Sequence, residues 1–151
     1  MQFWLMKSEP ECYSIDDLKR DKVMHWDGVR NYQARNMLRD QMKKKDLVFF
    51  YHSNSKPAGI VGIAEIVKEG YPDHTAFDPM SEHPDPKSDP KNPRWFMVDI
   101  KFKQKFKKMI SLAELKKYEI LTDMKLLQKG NRLSVMPVTE KNWNFILELS
   151  E

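Results

Sequence analysis

Leu47-Val48-Phe49-Phe50-Tyr51 constrains this chain more than any other stretch. An apolar run without alternation leaves no side of a strand for solvent, so it belongs inside a sheet that is buried on both faces. It delivers His52-Ser53-Asn54-Ser55 to a turn, and Ile60 to Val67 reads as the next strand. The polar loop between them is too short for a crossover connection, which favours an antiparallel hairpin over a βαβ unit. Gly62, inside the second strand, predicts a bulge or the close approach of another backbone.

Shorter segments add to this sheet. Phe3 to Met6 and Val23 to Trp26 read as strands, Arg94 to Lys103 as a half-exposed strand, and Asn131 to Val138 as a turn followed by a strand. Pro137 marks that last strand as an edge or as ending there. Ser14-Ile15-Asp16-Asp17 resembles a capping box and opens a short helix that stops near Arg20. Asn31 caps a helix over Tyr32 to Met42, with Ala34, Met37, Leu38 and Met42 on its core side. Ser111 to Glu114 is a complete capping box, a helical turn is expected near Asp123 to Leu127, and Thr139 caps a final helix. That helix carries Trp143, Ile146, Leu147 and Ser150 on one face. Tyr71 to Pro93 is a long, proline-rich connection without apolar periodicity, and loops of that length are functional or disordered. Five or six strands with short helices between them predict an α+β fold, a small curled sheet or partial barrel, in one domain over residues 1–151.

The charge is mildly basic, +4 over 151 residues, and unevenly spread. Lysines gather at 43–45 and 101–108, while Asp73 to Asp89 is acidic. Such a balance permits nucleic acid without requiring it, and the same runs also read as solvated faces. No apolar run reaches membrane-spanning length, and Met1 to Lys7 lacks the pattern of a signal peptide. The expectation is a protein of the cytoplasm, or of the nucleus in a eukaryote, with no membrane partner. Cys12 is alone, which excludes an internal disulfide and a thiolate metal cluster. Neither a phosphate-binding loop nor a dinucleotide fingerprint occurs. The scattered histidines lack zinc-ligand spacing, Cys12 has an acidic neighbour, and His52 and Ser53 point to opposite faces of a strand. No cofactor, no metal and no catalytic set is expected.

One stretch concentrates binding chemistry. Trp26-Asp27-Gly28-Val29-Arg30-Asn31-Tyr32-Gln33-Ala34-Arg35-Asn36 places an aromatic before a tight turn, with arginines and amides beside a helix start. An aromatic face next to cations and amides suits a flipped base or a similar planar ligand. The same residues also read as a core aromatic, a helix cap and a solvated face. Lys7, Ser8 and Glu9 lie at a strand end before Pro10, either as a polar edge for a small planar ligand or as an ordinary loop.

Together with Trp4-Leu5-Met6-Lys7-Ser8-Glu9-Pro10, the Phe49 to Asn54 and Ile60 to Glu65 strands, Tyr71-Pro72-Asp73, Pro93-Arg94-Trp95 and Arg132-Leu133-Ser134-Val135-Met136-Pro137-Val138, the Trp26 to Asn36 stretch forms a series of motifs that runs in order along nearly the whole chain. In this the sequence resembles the EVE domain, a family of the PUA-like fold related to the YTH and SRA readers of methylated bases. The resemblance implies a mixed pseudo-barrel with flanking short helices. It also implies a non-catalytic reader of a modified base, with modified cytosine in DNA the usual assignment and modified RNA open. By the same resemblance Trp26 forms one wall of a base pocket. Lys7, Ser8, Glu9 and Asn31 meet the base edge, and Tyr51, His52 and Ser53 provide a second wall and polar contacts. Arg30, Arg35 and Arg132 hold phosphates. Binding would proceed by base extrusion to a monomer. A nucleoside-like small molecule in the same pocket is the alternative. The 101–108 lysines belong to none of the matched motifs.

Overall fold

The computed structural model describes residues 1–151. Its strands are β1 (Phe3–Ser8), β2 (Val23–Trp26), β3 (Leu47–His52), β4 (Gly59–Pro72), β5 (Phe96–Ser111) and β6 (Val135–Val138). They form one six-stranded sheet in the order β2-β5-β4-β3-β1-β6. The apolar run is β3, placed inside the sheet with β4 antiparallel on one side and β1 parallel on the other. The sheet is therefore mixed. β2 and β6 are its two edges, and β6 pairs antiparallel with β1.

Strand alternation divides the core into two layers. Val48 and Phe50 join Trp4 and Met6 in one cluster, whereas Phe49 and Tyr51 join Leu5 in the other. The first cluster also takes Trp26 from one edge strand and Val135 from the other, so the sheet curls until residues of its two edges share an interior. Helix α1 (Ile15–Asp21) and helix α2 (Tyr32–Asn36) supply Ile15, Leu18 and Ala34 to this layer. Helix α3 (Leu112–Leu115) and helix α4 (Glu140–Leu149) cover the opposite face. There Trp143 stacks on Phe49 at 3.8 Å and on Phe3 at 4.7 Å, which anchors α4 to two strands. A buried side chain of this size contributes roughly 1.5–3 kcal/mol. The Trp4 indole N–H donates to buried Asp46 at 3.0 Å. Asp46 also accepts from the backbone N–H groups of Gln2 and Lys43.

Ser14 forms the reciprocal capping box, and Asn31, Ser111 and Thr139 cap their helices. Gly62 packs where a Cβ would overlap the Gln104 carbonyl oxygen, and the β4 register breaks beside it. Three elements differ from the sequence expectation. The helix from Tyr32 is α-helical only to Asn36 and continues as a π-helical turn over Met37–Gln41, where Met42 N–H reaches back to the Met37 carbonyl. β5 does not stop at Lys103 but runs to Ser111, with Phe106 and Ile110 buried and Lys101, Lys103 and Lys105 outward. The long connection is ordered locally: β4 extends through Pro72, and a 3-10 turn follows over His74–Phe77. No helix is long and apolar enough to cross a membrane.

Candidate functional site

β1 and β2 are not neighbours in the sheet, and the curl brings their C-terminal ends to opposite sides of an open cleft of about 770 Å³. Lys7, Ser8 and Glu9 line one side and Trp26 to Arg30 the other, with Tyr13, Asp21, Glu82, His83 and Ser134 among the further lining residues. Trp26 is 7% exposed and packs edge-to-face on Phe50, with ring centroids 5.8 Å apart. It is both a core residue and a wall of the cleft. Lys7 donates its backbone N–H to Ser134, and partial burial pushes its ammonium pKa down. Ser8 Oγ donates to the Tyr13 carbonyl at 2.6 Å, and Glu9 accepts from Asn54 Nδ2 at 2.6 Å. Burial, together with its hydrogen bond to Asp21, pushes the Tyr13 phenol up. Four carboxylates (Glu9, Asp21, Asp27 and Glu82) face the cleft, against the cations of Lys7 and Arg30. The cleft is acidic, although the chain is basic.

The Trp26 wall is held from behind. Gly28 turns the chain at φ +77°, a conformation that costs glycine little. Its N–H donates to Asp73, which is 0% exposed. Asp73 also accepts from Arg30 Nη1 at 3.0 Å and from the N–H and hydroxyl of Thr75. Burial alone would raise the Asp73 pKa; the Thr75 hydroxyl, the Gly28 N–H and Arg30 more than offset it and hold the carboxyl low. Arg30 Nη2 donates to the His83 carbonyl at 2.6 Å. The His83 ring lies where a side chain on Gly28 would project, and its Nε2 is 3.2 Å from Asp27 Oδ1. His25 Nε2 is 3.3 Å from the other Asp27 oxygen.

With this geometry in view, the family follows from comparison. The EVE domain model matches residues 2–149. The chain belongs to the EVE domain family. Thymocyte nuclear protein 1 of Mus musculus is 48% identical across 99% of this chain and 74% of its own length. A solved structure from Pseudomonas syringae is 50% identical with a TM-score of 0.95, covering 99% of both chains. The structure of human THYN1 protein in complex with 5-methylcytosine-containing DNA is 46% identical with a TM-score of 0.94, covering 100% of this chain and 98% of that one.

Within this EVE domain the residues singled out from sequence separate into groups. Lys7, Ser8, Glu9, Trp26 and Arg30 meet at the cleft. Tyr51 does not: it is 3% exposed in the core layer on the other face of the sheet, because strand alternation sends it away from Phe50. The second wall expected from it is absent there. His52 and Ser53 do not line the cleft either; Ser53 N–H donates to the Ser8 carbonyl and so steadies the β1 end. Asn31 accepts the Ala34 N–H with its side-chain oxygen as the α2 cap and lines a neighbouring cleft with Arg132. Arg30 is engaged by Asp73, which removes it as a free phosphate ligand. Arg35 is engaged likewise, donating to the Arg94 carbonyl at 2.7 Å and to Asn36 while lying over the Tyr32 ring. Among the lining residues, sequence reasoning missed Tyr13, Asp21, Asp27, Glu82, His83 and Ser134. Asp27 and Ser134 stood inside matched motifs, whereas His83 lay in a connection with no periodicity to place it.

His52 has a role of its own. Burial pushes its pKa below the ordinary 6.5, and its neutral Nε2 accepts the Ile15 N–H at 3.1 Å. As pH falls the unfolded chain takes up the proton first. The stability that depends on neutral His52 is therefore complete above about 6.5 and is lost from there down to the folded value. His52→Gln, whose amide oxygen can accept the same N–H, should flatten the dependence of urea midpoints on pH across that window. An unaltered slope would reject this role.

Proposed function

We propose that this EVE domain is a non-catalytic reader of modified cytosine in DNA, taking the extruded base into the cleft between the β1 and β2 ends. The observation that carries the reading is the human THYN1 complex with 5-methylcytosine-containing DNA, at a TM-score of 0.94 to this chain. The chemistry of the cleft supports it. Trp26 offers an apolar wall, and base–aromatic contact contributes roughly 1–3 kcal/mol. Carboxylates such as Asp27 and Glu9 are acceptors of the kind that take the cytosine amino group, while Lys7 offers a donor to its carbonyl edge. Extrusion costs a few kcal/mol, and burying one methyl returns about 0.8 kcal/mol, close to a fourfold preference.

Catalysis lacks an activated nucleophile in the cleft. Ser8 gives its proton to a backbone carbonyl, and Cys12, beside Glu9, has its thiol pKa pushed up. The test is a titration with matched single- and double-stranded DNA and RNA carrying cytosine, 5-methylcytosine, 5-hydroxymethylcytosine or N6-methyladenine, at two salt concentrations. We expect methylated DNA to bind at least about fourfold more tightly than unmodified DNA. Equal affinities would overturn the reading. The acidic character of the cleft favours one second reading, a free nucleoside as ligand; it predicts salt-insensitive binding of 5-methyldeoxycytidine as tight as that of the oligonucleotide.

A further inference from the structure

An acidic cleft suits a base but repels the phosphates attached to it, so a polymer needs cations elsewhere. A second cleft, of about 400 Å³, lies directly beside the first. Lys125, Lys129 and Arg132 line it together with the side-chain amides of Asn31 and Gln33, and no carboxylate faces it. All three cations are exposed, and none is in an ion pair. Arg20, Lys103 and Lys105, by contrast, are engaged, Arg20 by Asp17 and Asp21, Lys103 by Glu65 and Lys105 by Asp16. The two clefts are continuous on both walls. Arg30 and Ser134 line the first, and their chain neighbours Asn31 and Leu133 line the second.

We propose that this second cleft binds the phosphodiester backbone of the strand next to the extruded base, with Lys125, Lys129 and Arg132 as the phosphate ligands. The inference rests on the base-reading function proposed above. It divides recognition between two neighbouring surfaces of opposite charge: an acidic cleft that scores the base, and a basic one that holds the strand without reading it.

The experiment compares wild type with the exposed-surface variant K125Q/K129Q/R132Q, using a 5-methylcytosine oligonucleotide, its unmethylated twin and free 5-methyldeoxycytidine over a salt series. Each cation removed should reduce the slope of log affinity on log salt by about 0.7 for single strands and about 0.9 for duplex, so by roughly 2–3 in the triple variant. The ratio of methylated to unmethylated affinity and the affinity for the nucleoside should stay as in wild type. An unaltered slope overturns the proposal, as does a loss confined to the methylated ligand. A readout on the unaltered protein is the Arg132 side-chain NMR resonance, which should shift with the oligonucleotide and not with the nucleoside; the reverse pattern overturns the proposal. If wild type binds both oligonucleotides equally, the base-reading function fails while the slope still tests the second cleft. If wild type binds neither, both fail.

Discussion

Replacing Asp73 with alanine should destabilise the fold by about 3 kcal/mol or more, because one carboxylate serves the Gly28 N–H, Arg30 and Thr75 from a fully buried position. Removing one partner of a buried pair costs about 3–5 kcal/mol, and Arg30, 23% exposed, draws the effect to the lower end. Urea unfolding reads it directly. Asp73→Asn keeps an acceptor but loses the charge, so it should fall between wild type and alanine. The pH dependence has a defined sign: the folded carboxyl lies below its ordinary 3.8, so its contribution is present above that value and disappears as pH falls through the folded value. The variant should also lose preference for methylated DNA where it remains folded, since the turn that carries Trp26 loses its support. A cost below about 1 kcal/mol, the range of an exposed ion pair, would show that the 27–30 turn stands without Asp73.

Trp26→Ala should abolish the preference for methylated over unmethylated DNA while leaving salt-sensitive binding in place. Because Trp26 packs on Phe50 and is 7% exposed, truncation also opens a cavity worth about 3–5 kcal/mol, so lost binding must be separated from lost fold. Trp26→Phe makes that separation: it keeps an aromatic against Phe50 but shortens the wall. It should stay folded and bind methylated DNA with an intermediate preference. Wild-type preference in both variants would take Trp26 out of the base site.

How much of this fold is legible in its sequence depends on what information each residue carries locally. β3 was legible because an unbroken apolar run has one physical solution, and Asn31, Ser14, Ser111 and Thr139 were legible because caps act on backbone a few residues away. The arginines were not. A guanidinium announces its charge but not its partner, and Arg30 finds Asp73 at the start of the proline-rich connection, while Arg35 finds the Arg94 carbonyl just beyond its end. Tyr51 was misread for a related reason: its place at the end of β3 was right, but regular alternation along β3 turns it to the face opposite Phe50, and which face borders the cleft is set by the curl of the sheet. The extension of β5 was hidden because its register breaks against β4 interrupt the period-two pattern, and the lysines between Phe102 and Ile110 read as solvated charge.

The placement of β1 bears on how the protein is made. The first strand hydrogen-bonds to β3 on one edge and to β6 on the other, and Phe3 stacks against Trp143 of α4. A ribosome delivers these partners at widely separated times. While residues 135–149 are still inside the exit tunnel, β1 shows an unpaired edge and Phe49 lacks its stacking partner, the type of exposed surface that recruits aggregation. Completion of the sheet therefore waits until residues 135–149 have left the tunnel.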